Sequence, residues 1–318
     1  MPQNAPLAIF AFNRPEHLQR TLQALVQNTL ASETDVTIFC DGPRNEQDVE
    51  KIEEVHAVAQ SATGFHTLNI IKRDINMGCA NSVITGINTI LEENKNIIVI
   101  EDDVVCSPYT LSFLNKGLHI YKNNQSIFDI SAWSLPPSLL PIPDTYAWDV
   151  YAIPRFNCSG GWASWRDRFQ KIDWAVSDYE TFKADSGKRH AFNAGGTDLS
   201  PMLDDQMAGK LDSWAIRADY ARYKNSQLGI NPVRSYTTNI GMGNGTHCKV
   251  ATTLYDNDVS LAVEKPRFLP EIFRDVRIEK AYWRFYSGAD SKIRTASTLR
   301  KHLQRMRFAQ TAKDCAAS

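Results

Sequence analysis

The chain has 318 residues, 43% of them hydrophobic, with 35 Lys and Arg set against 36 Asp and Glu. That allows one large domain or two modest ones around a sizeable core, and the balanced charge argues against a surface devoted to nucleic acid. No stretch reaches the ~20 apolar residues that span a bilayer, and "MPQNAPLAIFAF" lacks the basic start of a secretory leader. The 6 cysteines are scattered without metal-finger spacing and read as reduced thiols, so a soluble cytoplasmic protein is expected.

Strand and helix patterns alternate through the first half. Pro6–Phe12 (PLAIFAF) reads as a strand, and Arg14–Asn28 as a helix with Leu18, Leu22 and Leu25 on one face. Asp35–Asp41 is a second strand, Glu46–Gln60 a helix, Thr67–Asp74 a third strand and Ala80–Asn94 a helix. Asn96–Asp102 (NIIVIED) is a fourth strand, Pro108–Tyr121 a helix started by Ser107 and Pro108, and Ile127–Trp133 a fifth strand. Such alternation predicts a mostly parallel sheet with helices on both faces. Ligands of such sheets bind beyond the carboxyl ends of the strands. Asn13–Arg14, Asp41, Asp74–Asn76 and Glu101–Asp103 are expected to line that crevice. After Trp133 comes a proline-rich stretch, then three blocks that core periodicity does not explain: CSGGWASWRDRF, SPMLDDQMAGKLDSWAIR and NIGMGNGTHC.

The acids Glu101, Asp102 and Asp103 follow an unbroken apolar run. Three adjacent carboxylates repel unless something positive sits between them, and a hard cation such as Mg²⁺ or Mn²⁺ suits them. Asp103, furthest out, is the best direct ligand; Asp102 would reach a ribose or metal-bound water, with Glu101 behind. A solvated strand-end loop is the simpler alternative. Asp41 could hold a base edge or ribose hydroxyl, or be a turn aspartate before Gly42–Pro43. Arg14 could face a diphosphate or lie at a helix surface. Gly78 in NMGCANS lets backbone N–H groups approach an anion, although the Walker ending is missing. Trp162 and Trp165, beside a Gly-Gly turn, could stack on a sugar or belong to the core.

The ordered set FAFNRPEHLQRTLQAL, TIFCDGPR, NMGCANSVITGIN and IIVIEDDVVCSP resembles the GT-A glycosyltransferases. The nearest groups are the one around the Golgi N-acetylglucosaminyltransferase that initiates complex N-glycans, and bacterial sugar transferases of surface-polysaccharide pathways. The resemblance covers about residues 6–248. It implies an α/β GT-A fold, a nucleotide-sugar half near 1–133, an acceptor half near 134–260, and a helical extension over 261–318. It further implies an inverting transferase that takes a nucleotide-sugar (UDP-linked favoured), with Mn²⁺ or Mg²⁺ bridging the diphosphate, and a glycan or lipid-linked acceptor. Carried over, Asp103 ligates the metal and Arg14 and Asp41 contact the nucleoside. Asn13, Asn76, Gly78, Glu101 and Asp102 complete the donor site. Inverting relatives carry a base aspartate at a helix start well after the metal motif, which implies Asp205, or else Asp204; paired acids at a helix start also suit the macrodipole alone. A late histidine, here His247, serves some members as a metal ligand, and an exposed loop histidine is the other reading. Two rivals remain: a nucleotidyltransferase, whose glycine-rich basic fingerprint FNRPEH lacks, and a non-catalytic sugar-nucleotide-binding protein. Beyond Ser291 the chain turns basic, with Leu299, Leu303 and Met306 opposite Arg300, Lys301 and Arg305. Peripheral membrane contact or a solvated helix would fit that pattern.

Overall fold

A computed structural model of the chain describes residues 4–241 and 253–288. In chain order the first half forms β1 (Leu7–Ala11), α1 (Pro15–Val26), β2 (Asp35–Cys40), α2 (Glu46–Ser61), β3 (Thr67–Lys72) and α3 (Gly78–Glu93). It continues with β4 (Asn96–Glu101), β5 (Val104–Cys106), α4 (Thr110–Tyr121) and β6 (Ile127–Ser131). The second half adds β7 (Val150–Ile153), β8 (Trp162–Trp165), α5 (Arg166–Phe169), α6 (Tyr179–Ala184), α7 (Ser186–Phe192) and α8 (Leu199–Met207). Last come α9 (Trp214–Lys224), β9 (Leu228–Pro232), β10 (Thr237–Asn239) and α10 (Val276–Ser287).

Eight strands make one sheet in the order β3-β2-β1-β4-β8-β6-β9-β7. Its strands run parallel except β8 and β7, which are antiparallel to their neighbours. The mostly parallel sheet flanked by helices is the architecture expected. Side chains alternate across it: Leu7, Ile9, Ile98 and Ile100 pack under α1, α2 and α4, whereas Ala8, Phe10, Ile97 and Val99 pack under α3 and α9. With both faces covered, β1 and the Ile97–Ile100 run of β4 are apolar instead of alternating in polarity. Phe268 and Leu269 join the first layer, and α10 seats Ile278, Tyr282 and Phe285 against β7.

Two local expectations changed. The second half, read only as irregular blocks, supplies β7, β8 and β9 to the main sheet and a ribbon in which β10 pairs antiparallel with β5. The helix expected at Pro108 starts at Thr110. Ser107 is buried, and its N–H donates to the Tyr236 carbonyl (2.8 Å), so it continues the β5 edge before the chain coils.

Candidate active site

The parallel strands β1, β2, β3 and β4 end on one side of the sheet, and four loops meet there. After β1 the chain turns at Arg14 and enters α1 with Pro15, whose missing N–H costs nothing in a first turn. The Arg14 guanidinium reaches across to the end of β4. It pairs with Asp102 through Nη2 and Nε, and its Nη1 donates to Asp103 Oδ2 at 2.8 Å. From α1, the Thr21 hydroxyl donates to the Asp102 carbonyl (2.8 Å), and the Asp102 N–H donates to the Phe10 carbonyl. The β5–β10 ribbon closes the other side. Asn239 Nδ2 donates to Asp103 Oδ1 at 3.1 Å, and Ile240 N–H donates to the Asp103 carbonyl. A Cβ at Gly241 would overlap Asp103 Oδ2, so a bare backbone is required there.

The β2 and β3 loops form the neighbouring wall. Both carboxylate oxygens of Asp41 accept from Met77 N–H (3.0 and 3.2 Å), and Arg73 stands 3.8 Å away. Asn76 donates to the Gly42 carbonyl and accepts from Gly78 N–H, fixing the turn into α3, where Gly78 takes φ +74. The Gly42 position lies against the Ile75 backbone so closely that a side chain there would collide. Asn13 donates to Asp48, which also pairs with Arg44; that pairing holds the Asp48 carboxyl down to about 2.

Among the described residues Glu101, Asp102 and Asp103 face one guanidinium, and the Glu101 side chain has no hydrogen-bond or ion-pair partner. Burial and the charges of Asp103 and Asp102 push the Glu101 carboxyl up to about 8. Burial pushes Asp102 up to about 6 against the pull of Arg14. Arg14 is itself held above its ordinary range: the two carboxylates more than offset its own desolvation. Among the described residues no three His, Cys, Asp or Glu side chains converge as a ready-made metal cluster. A hard cation that keeps waters and shares substrate phosphates needs only one or two carboxylates, however. Asp103, whose two oxygens each retain acceptor capacity, and the unpartnered Glu101 fit that demand.

Other expected site residues fall elsewhere. Trp162 is 1% exposed and stacks on Phe169 (5.4 Å) between Phe156 and Trp214; Trp165 is 4% exposed under the Arg168 guanidinium. Their expected stacking on an acceptor sugar is therefore withdrawn, because both rings are spent on protein. Asp204 and Asp205 lie in the last turns of α8, not at a helix start. Asp204 is committed to a two-pronged pair with Arg189 (2.8 and 2.7 Å) and to the Tyr179 hydroxyl, so its expected role as base also lapses. The Asp205 side chain is half-buried and makes no such pair among the described residues. His247 and the basic stretch from Ser291 lie outside the described residues.

Sequence reading missed Asn239, Gly241 and Asp212. The carboxylate of Asp212, in the loop before α9, lies 3.8 Å from where a Gly78 Cβ would sit. Arg217 stands 4.0 Å from it. Asp212 therefore stands at the mouth of the crevice on the side of α3. The signal was present: Asn239, Gly241 and Asp212 all fall in the blocks that core periodicity left unexplained.

A scan against protein families matches none. Among solved structures, the chain is similar to the mannosyltransferase PcManGT from Pyrobaculum calidifontis in complex with GDP-Man and Mn²⁺, at 12% identity and a TM-score of 0.38, over 70% of this chain and 74% of that one. It is also similar to S. aureus TarS, at 11% identity and 0.38, over 73% of this chain but only 36% of TarS. A UDP-glucose pyrophosphorylase complexed with UDP-glucose gives 11% identity and 0.37, over 72% and 90%. Likeness at this level leaves the chemistry to be argued from the chain's own residues.

Proposed function

We propose that the protein is a nucleotide-sugar-dependent glycosyltransferase of the GT-A kind, inverting, with UDP-linked donors favoured and a glycan or lipid-linked acceptor of bacterial surface-polysaccharide synthesis. One observation carries this reading. Three carboxylates with a single guanidinium between them end the central strand β4, in the crevice where parallel sheets bind nucleotides. A divalent cation held by Asp103 and Glu101 would supply charge stabilisation for a departing diphosphate.

The chain's own residues supply the rest. Arg14, set between Asp102 and Asp103, orients both carboxylates and brings a fixed positive charge to the place where phosphate charge would develop. Asp41 and Asn76 hold the β2 and β3 loops together, so the α3 start presents its backbone N–H groups in a fixed position. Transfer with inversion needs a carboxylate to take the acceptor hydroxyl proton. Asp205 and Asp212 are the candidates, and Asp212 is favoured because it stands beside Gly78 at the start of α3.

Calorimetric titration of UDP, GDP and CDP, each with Mn²⁺ or with EDTA, tests this on wild type and Asp103→Ala. Metal-dependent binding of UDP that the substitution removes supports the reading. UDP binding indifferent to both metal and substitution would point to a non-catalytic sugar-nucleotide binder. No binding of any nucleoside diphosphate would return the triplet to a structural loop.

A further inference from the structure

α10 is amphipathic, yet its outward side is not simply polar. Ile278, Tyr282 and Phe285 face the core beside β7. On the opposite side Val276 is 57% exposed and Trp283 40%, and just before the helix Phe273 is 43% exposed. At about 100° per residue, Val276 and Trp283 lie within about 20° of each other around the helix, and Lys280 and Arg284 follow within about 80° of Val276. Arg277 is exposed alongside them. Arg274 and Arg277 are neutralised by Glu279 and Asp275, but Lys280 and Arg284 have no acidic partner among the described residues.

We propose that this face of α10 docks onto an anionic lipid bilayer. Large apolar side chains interleaved with unpaired cations match the interfacial zone, where aromatic rings settle at headgroup depth and cations meet lipid phosphate. Charge discriminates against the other occupants. The sequence that follows, residues 289–318, carries seven Lys and Arg against two Asp, so it repels this face instead of complementing it. A second copy would present the same positive face. A nucleic acid would use the cations but leave Trp283, Val276 and Phe273 exposed. No helix among the described residues is long and apolar enough to cross a membrane, so the contact is peripheral. It stands independently of the transferase reading.

The test is co-sedimentation of the full chain with vesicles of phosphatidylcholine alone, or with roughly one-third phosphatidylglycerol, at low salt and at about 0.5 M salt. Wild type is expected on the anionic vesicles only. At about fivefold per cation, Lys280→Ala with Arg284→Ala lowers partitioning roughly 25-fold. Trp283→Ala also lowers it, and that loss is seen as well in the binding that survives high salt. These positions are exposed, so melting temperatures should hold and report an intact fold. Three results would overturn the inference. The variants bind vesicles as wild type does; wild type ignores lipid charge; or Trp283→Ala splits a dimer without changing vesicle binding. Duplex DNA binding that needs Lys280 and Arg284, with no vesicle binding, would overturn it equally.

Discussion

Replacing Arg14 with Ala removes the one cation among the described residues that touches the buried carboxylates of Asp102 and Asp103. Breaking a buried pair by deleting one partner costs about 3–5 kcal/mol, because the remaining charge is left uncompensated. Arg14 is 21% exposed, so water partly takes its place, and roughly 2–4 kcal/mol is the expected loss. For a chain of this size that is a fall of about 3–6 °C in melting temperature. The sign of its pH dependence follows from Asp102. Burial already raises this carboxyl, and Arg14 is the main force holding it down. Without Arg14 its folded pKa climbs further above the unfolded value, so the folded variant binds the extra proton. Its deficit against wild type should be largest near pH 8 and shrink toward pH 5.5. Millimolar Mn²⁺ or Mg²⁺ should recover part of the loss at pH 8, because a cation at Asp103 and Glu101 restores the missing positive charge. Thermal melts of both proteins at the two pH values, with EDTA or metal, measure all of this. A loss under 1 °C at pH 8, or one that does not shrink at pH 5.5, would refute the electrostatic account of the clasp.

Glu101→Gln should act in the opposite sense. The wild-type carboxyl is raised to about 8 from 4.5, so ionising it costs stability progressively as pH rises through that window. With solvent at its partly exposed end discounted, the amide should be more stable by on the order of 1–2 kcal/mol at pH 8, with no gain near pH 4.5; urea melts across that range show the difference. Trp162→Ala should cost about 3–5 kcal/mol by emptying a site among Phe156, Phe169 and Trp214. A selective rise in acceptor KM with an unchanged melting temperature would restore the sugar-stacking role. If the protein is a transferase, Asp212→Asn should lower kcat by about 100-fold or more with UDP affinity retained. Asp204→Asn should instead lower the melting temperature through its lost pair with Arg189. Normal turnover in Asp212→Asn and none in Asp205→Asn would move the base to Asp205.

The first half of the sheet was legible because burial on both faces leaves a plain mark: β1 and the Ile97–Ile100 run of β4 are apolar without alternation, and α1, α2 and α3 carry apolar stripes between them. The second half left no such mark. β8 is only four residues, WASW, and runs antiparallel between β4 and β6; β7 follows a proline-rich stretch and pairs with β9 about 80 residues later. Strands that short carry too little periodicity to separate from a loop. Trp162 misled for a related reason. A tryptophan beside Gly160 and Gly161 looks available for stacking, whereas its rings are enclosed by α5 and α9, elements whose packing no local pattern announces.

The candidate site divides along the same line. The position of each acid was readable, since a strand that runs into Glu101, Asp102 and Asp103 must deliver them to the sheet edge. Which group neutralises each acid was not, because those contacts span large separations: 88 and 89 residues from Arg14 to Asp102 and Asp103, and 136 from Asp103 to Asn239. The pairing pattern itself separates the acids by task. Asp41 and Asp48 have their neighbours in the loops after β1, β2 and β3, and they hold those loops in place. Asp204 ties α8 to the Arg189 side chain of α7 and the Tyr179 hydroxyl of α6. Glu101 alone of the triplet has no side-chain partner among the described residues, and it lies beside two other acids, well above its ordinary range. An uncharged residue at that position would spare the fold the repulsion of Asp102 and Asp103, and a positive ligand of the kind proposed would offset it.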